Sequence, residues 1–272
     1  MGRKRENTLE VKILMEQFES IKSKERVKEL GEVFTPKEIV EDMLGLVDKA
    51  SIEDMGDKVP TGYRGYSYDL DKTFLEPSCG TGNFLVEIVR RKCETAVAKS
   101  KINGTEEVDI EALKINLLKA VATTYGVDIM SDNVGKSRER VIEIVQKTFE
   151  DTTNGKCPMP FKNAVAYIVE VNIIYGNTLE NTMAIENNLK MLIKNKVTGK
   201  FPAYPLEGKL GDAGVGMLEY SEWRFTGENV KRTSYLAASM DTWYEEYDEV
   251  HYKRIKNADK VTNPDAINVR PR

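Results

Sequence analysis

The sequence predicts an α/β fold organised around a parallel sheet. Short apolar runs alternate with amphipathic helical stretches. These runs are near-continuous, as in strands covered on both faces. Polar residues and turns close them, and the first closes on the glycine-rich run Phe74-Leu75-Glu76-Pro77-Ser78-Cys79-Gly80-Thr81-Gly82-Asn83-Phe84-Leu85.

In chain order, Leu9, Ile13, Leu14, Phe18 and Ile21 recur at helical spacing and predict an amphipathic N-terminal helix. Thr35-Pro36 reads as a helix start, a Thr cap followed by a proline at the first helical position. Ile39, Val40, Met43, Leu44 and Val47 carry that helix on. Residues 51–68, rich in Gly, Asp and Tyr, read as a loop. The first strand ends near Glu76, and a long helix runs from Gly82 towards Lys99. After a polar turn over 100–108, Asp109 caps a helix that starts at Ile110 and ends near Lys119. Residues 122–130 supply the second strand, ending at Asp128, and a helix follows from about Asn133 to Phe149 with Val134, Val141, Ile142 and Val145 on one face. A loop through Cys157-Pro158-Met159-Pro160 leads to the apolar run Ala164 to Tyr175, and Val171 to Leu179 reads as a third strand and turn. Beyond Leu179 the character changes. Residues 187–196 are a short helix at best, and 206–217, with Gly208, Gly211, Gly214 and Gly216, a flexible loop. Leu218 to Phe225 alternates as a strand, Thr226 to Asn229 turns it, and Val230 to Leu236 returns beside it. The remaining tail is polar and reads as loosely ordered. The expected division is an N-terminal helix over 1–30, an α/β domain over 31–180 and a divergent C-terminal region over 181–272.

Composition narrows the function. Of 272 residues, 40% are hydrophobic and 31% charged, with a net charge of −4. That balance disfavours strong nonspecific binding to nucleic acid, which depends on neutralising phosphates. Basic residues do gather at Arg3, Lys4, Arg5, Lys22, Lys24, Arg26 and Lys28, and again at Lys190, Lys194, Lys196 and Lys200; each run reads as a solvated helix face. No apolar run is long enough to span a membrane. Cys79, Cys93 and Cys157 suit neither a disulfide framework nor a zinc cluster, so a reducing, cytoplasmic setting is expected and no metal is implied. The single histidine, His251, makes histidine-based acid–base chemistry a poor prospect.

The glycine run brings backbone amides to the positive end of a helix. Gly80 and Gly82 permit the tight turn, and Glu76 sets a carboxylate at the strand end, where a ligand amine fits. A dinucleotide fingerprint requires a third glycine where Leu85 stands, and a phosphate loop requires Gly-Lys-Ser/Thr where Gly82-Asn83 stands. Neither pattern is met.

The run resembles the cofactor loop of adenine-specific DNA methyltransferases, which bind S-adenosylmethionine (SAM). The resemblance extends in the family's order from Gly31-Glu32-Val33-Phe34-Thr35-Pro36, through the glycine loop and the strand ending Gly126-Val127-Asp128-Ile129-Met130, to Val171-Asn172-Ile173-Ile174-Tyr175-Gly176-Asn177-Thr178-Leu179. It implies a Rossmann-like methyltransferase fold with helices on both faces of the sheet, to which the sequence pattern adds N-terminal helices and a small C-terminal hairpin. It also implies a site: Phe34, Thr35 and Pro36 close over the methionine end of SAM, with Glu76 at its amine. Pro77, Ser78, Gly80, Gly82, Asn83 and Phe84 form the loop, Asp128 and Ile129 meet the ribose, and Asn177 and Thr178 meet the adenine. The family usually has Asp at the Asn177 place, and an Asn carbonyl can accept the same hydrogen bond.

The resemblance breaks at the acceptor site. The family follows its third strand with an Asn/Asp-Pro-Pro-Tyr/Phe segment that grips the target amine and stacks on the base. This chain contains no Pro-Pro; Asn263-Pro264-Asp265-Ala266 lies in the tail and lacks the aromatic. The catalytic residues are therefore unassigned. Three readings stay open: a divergent methyltransferase acting on double-stranded DNA, one part of a split enzyme with a second subunit, and a SAM-binding regulator. A small-molecule methyltransferase is a further alternative. Tyr220, Trp223, Phe225, Tyr235, Trp243, Tyr244 and Tyr247 concentrate where the acceptor loop is missing. They read either as cover for the sheet edge or as a substitute acceptor wall or docking face.

Overall fold

The computed structural model describes residues 26–28, 32–103, 105–179, 182–183, 218–236 and 243–261. The chain divides into two compact units, Met1–Gly65 and Tyr66–Arg272. The predicted N-terminal helix, the segments over 187–196 and 206–217, the second basic run and Asn263-Pro264 lie outside the described residues.

In the first unit the main element is α1, Lys37–Met55, followed by a short 3-10 turn, Gly56–Lys58. Proline 36, not Thr35, is its N-cap. Its ψ of 154° is extended, and its carbonyl accepts the first helical bond from Val40 N–H at 3.0 Å. The Thr cap is thus corrected: proline occupies the half-in position and has no capping side chain of its own. The expected loop at residue 51 is also corrected, because α1 runs on to Met55.

The second unit holds a sheet of β1 (Phe74–Glu76), β2 (Thr124–Asp128), β3 (Ile173–Asn177) and β4 (Thr182–Met183), in that order. The first three strands are parallel, and β4 pairs antiparallel with β3. Two helices fill each crossover: α2 (Asn83–Lys99) and α3 (Ile110–Ala122), then α4 (Ser131–Thr153) and α5 (Met159–Asn172). Asp109 caps α3 as expected, accepting from the Glu111 and Ala112 amides at 2.9 and 3.0 Å. The third strand, expected from Val171, begins at Ile173, and most of the apolar run from Ala164 to Tyr175 is helix α5. Phe161, Val165, Ile168 and Val169 are buried together on that helix, at helical spacing within a near-continuous apolar run.

Parallel register sorts the side chains. Leu75 aligns with Tyr125 and Val127 with Ile174, which places these four on one face; Leu218 and Tyr220 cover Val127 and Ile174 there. Glu76, Gly126, Asp128, Ile173 and Asn177 belong to the other face. Gly126 lets α2 approach closely, since a Cβ there would sit 2.6 Å from the Leu85 Cδ1 atom.

The C-terminal sheet contains β5 (Glu219–Thr226), β6 (Asn229–Leu236), β7 (Trp243–Tyr247), β8 (Val250–His251) and β9 (Lys260–Val261), all antiparallel. The predicted hairpin is present, with Gly227 at φ 58° in its turn. The described part of the tail, residues 243–261, is ordered, contrary to expectation, because Tyr247, Tyr252 and Ile255 are buried. His251 is half-buried beside Glu228, 2.6 Å from its carboxylate, and its Nδ1 accepts from the Lys253 amide at 3.2 Å.

Candidate functional site

All three parallel strands end at the same edge of the sheet, where Glu76, Asp128 and Asn177 stand on one face. This is the edge at which open α/β sheets hold ligands. Hydrogen bonds join the strand ends into one cluster. The Gly80 amide donates to Asp128 Oδ2 at 2.8 Å, bringing the glycine loop to the end of β2. The Thr178 hydroxyl donates to the Pro77 carbonyl at 2.6 Å, bringing the end of β3 to the end of β1.

The loop is built from its own backbone and from α4. Cys79 N–H donates to the Val127 carbonyl at 2.9 Å and Gly82 N–H to the Cys79 carbonyl at 2.8 Å. Gly80 and Gly82 have φ of 52° and 86°, the left-handed region that favours glycine. At Gly82 space adds a second constraint, since a Cβ would lie 2.4 Å from the Ser137 hydroxyl. Ser137 donates to the Gly80 carbonyl at 3.1 Å, and Arg140 donates to the Thr81 carbonyl and to Asn83 Oδ1, each at 2.7 Å. These glycines therefore serve the packing of the loop on α4, and the Gly80 and Gly82 amides are already bonded within the chain.

Asp128 is buried at 6% exposure and accepts two further bonds on Oδ1, from the Met130 amide at 2.9 Å and Asn133 Nδ2 at 3.1 Å. A ligand hydroxyl reaching it must share these oxygens or displace a donor. Asn177 is similarly engaged, its Oδ1 accepting from the Leu179 amide at 3.0 Å in a local turn. Glu76 is different. Its half-buried carboxylate receives only the long 3.4 Å bond from the Ser78 amide, and burial pushes it above the usual carboxylate range, with that amide opposing the shift. No Lys or Arg pairs with it among the described residues.

Pro77 and Ser78 are exposed; Asn83, Phe84, Ile129 and Thr178 are half-buried around the cluster. Phe34, Thr35 and Pro36 belong to the other unit, immediately before α1. Burial, followed by the nearby Asp128 charge, pushes the Cys79 thiol up to about 12, so it stays protonated and serves as packing.

Sequence reasoning missed Asn133, Ser137 and Arg140. The signal was present. They stand at i, i+4 and i+7 of a helix that begins three residues after Asp128, so one polar stripe points back at the loop. For Trp223 and Phe225 the packing supports the reading as cover for the sheet: Trp223 is buried, donating to Asn172 Oδ1 at 2.9 Å, and Phe225 packs against the main core. Comparison with protein-family models, curated proteins and solved structures finds no match.

Proposed function

We propose that this chain binds SAM at the carboxyl ends of β1 to β3 and serves adenine-specific DNA methylation, on a Rossmann-like scaffold. The observation that carries the reading is Glu76, a half-buried carboxylate without a cation among the described residues, set beside the glycine turn where α2 begins. An aminoacyl ammonium is the complement such a group lacks, and a charge-assisted hydrogen bond to it contributes about 1.5–3 kcal/mol. Around it, Asp128 would hold the ribose, with Ile129 at its side. Asn177 and Thr178 would meet the adenine, and Pro77, Ser78, Asn83 and Phe84 would line the approach. The bound cofactor supplies an electrophilic methyl group on a sulfonium; the residues of this chain orient it.

A second reading has its own observation. The sequence contains no Pro-Pro, and the described residues after β4 form an antiparallel sheet in place of further parallel strands. This supports a SAM-binding subunit or regulator that depends on another chain for its acceptor loop. Calorimetric titration with SAM and with its demethylated product tests the common core of both readings, and absence of binding by the wild type would end them. Transfer of labelled methyl to double-stranded DNA separates them. Activity of the chain alone supports the enzyme, activity only with a copurifying partner supports the subunit, and transfer to a metabolite but not to DNA overturns the DNA assignment.

A further inference from the structure

One helix, α4, fastens the glycine loop at successive points. Asn133 meets the Asp128 carboxylate, Ser137 the Gly80 carbonyl, and Arg140 the Thr81 carbonyl and the Asn83 side chain. Asn133 and Ser137 are neutral and buried. Arg140 is half-buried and carries a charge.

The position of Arg140 is electrostatically unfavourable. Both of its hydrogen bonds leave from Nη1, and both acceptors are neutral oxygens. Asn83 opens α2, and the positive end of a helix disfavours a cation. Burial lowers the Arg140 pKa, opposed by the Glu143 charge on the same helix. Stability alone does not ask for a guanidinium here, because Thr81 and Asn83 are partly exposed and water can serve their oxygens.

What the guanidinium contributes is geometry. Thr81 and Asn83 flank Gly82, which sits at φ 86° in the left-handed region. Glycine has the most backbone freedom to lose on ordering. A single nitrogen, 2.7 Å from each oxygen, ties the residues on either side of Gly82 to one point on α4. The start of the loop is fixed separately, through Gly80 to Asp128 and Ser137.

We propose that Arg140 is a positioning residue: by bridging Thr81 and Asn83 across Gly82 it sets the glycine loop in one conformation before any ligand arrives, and ligand affinity at the strand ends depends on that order. The identity of the ligand rests on the SAM reading above; the order of the loop is a property of the unliganded chain. A site that is ordered for only a fraction of the time binds with a dissociation constant raised by the inverse of that fraction. Loop order and affinity must therefore change together.

Hydrogen exchange and calorimetric titration with SAM, on the full chain as wild type, Arg140→Met and Arg140→Lys, test this. The Gly80 and Gly82 amides report on the loop, since they donate to Asp128 and to the Cys79 carbonyl. In unliganded Arg140→Met they should exchange about tenfold faster, and SAM affinity should fall by a similar factor. The amides of β2 and α3 should stay as slow as in the wild type. Arg140→Lys keeps the charge and one donor group, and should recover part of both losses. Unchanged exchange at Gly80 and Gly82 in Arg140→Met refutes the proposal; affinity lost without it would make Arg140 a ligand contact instead. Faster loop exchange with undiminished affinity refutes the dependence. Faster exchange spread through β2 and α3, with a lowered melting temperature, would make Arg140 a general packing residue and refutes it too. A wild type that binds no SAM ends the reading above, while the exchange of Gly80 and Gly82 still decides whether Arg140 orders the loop.

Discussion

The Glu76 carboxylate meets one distant amide and no described cation, and burial holds its pKa above the ordinary range. Two consequences of opposite sign follow. In the unliganded protein the folded state binds the proton more tightly than the unfolded chain. Stability therefore falls as pH rises through the window between the unfolded and the raised folded pKa. Glu76→Gln removes that cost and should raise the melting temperature of the unliganded protein at neutral pH. The same substitution removes the negative charge proposed to hold the ligand ammonium, so SAM affinity should fall by about tenfold or more. In the wild type, affinity should weaken as pH drops and Glu76 takes up its proton. Calorimetry and melting curves on one pair of proteins check both signs; lower stability together with unchanged affinity would assign Glu76 a structural role. Glu76, Asp128 and the glycines were legible in the sequence because strand end, acid and turn are adjacent in the chain. The partners of Asp128 were harder to read. Its bonds to Gly80, Met130 and Asn133 arise when separate elements meet, and they give a residue read as a ligand contact a second duty in fastening the loop.

Helix α2 carries a buried lysine at the opposite end of the sheet. Lys92 Nζ lies 2.6 Å from the Lys72 carbonyl, 2.5 Å from the Thr123 hydroxyl and 3.3 Å from the Thr123 carbonyl, tying α2 to the segments that lead into β1 and β2. Burial holds its pKa down to about 7, with the Asp69 and Asp71 charges opposing the shift. Between that value and the ordinary lysine range the unfolded chain binds a proton that the folded protein has released, so the Lys92 contribution makes stability rise with pH across this window. Lys92→Met should flatten the rise in melting temperature between about pH 7 and pH 10, and an unchanged slope would exclude a titrating Lys92. At the level of elements, α2, α3, β2 and the C-terminal hairpin were readable because caps, glycines and alternation are local signals. Helix α5 was not. Phe161, Val165, Ile168 and Val169 follow helical spacing, but the near-continuous apolar character of the run hides it; in the structure Phe161 packs against Phe149 and Tyr252. The N-cap of α1 was misread by one residue, since Thr and Pro are both favoured at neighbouring positions of a helix start.

Across the larger unit, the parallel sheet and the C-terminal sheet belong to one contact-dense body. Asn172, at the end of α5, joins them. Its Nδ2 donates to the Val121 and Ala122 carbonyls at 3.0 and 3.1 Å, while its Oδ1 accepts the Trp223 indole N–H from β5 at 2.9 Å. Arg232 adds a second tie, donating to Ser221 Oγ, Tyr167 OH and Glu219 while its guanidinium lies over the Trp223 and Tyr247 rings. Tyr125 of β2 completes the joint by donating to the Ser221 carbonyl. None of these bonds was legible in the sequence, where Trp223 read as cover for the sheet edge or as a platform for an extruded base. The two roles predict different outcomes for Trp223→Phe. The substitution keeps an aromatic ring and removes the indole donor, leaving a buried amide oxygen unpaired at a cost of about 1–3 kcal/mol. For a unit of this size the melting temperature should fall by roughly 2–4 °C per kcal/mol. Because the joint is shared, the two sheets should still melt in a single calorimetric transition, and SAM affinity at saturation should be close to that of the wild type, since Glu76 and Asp128 lie outside the joint. An unchanged melting temperature with impaired methyl transfer would instead return Trp223 to the acceptor site, and two separate transitions would show that the C-terminal sheet folds on its own.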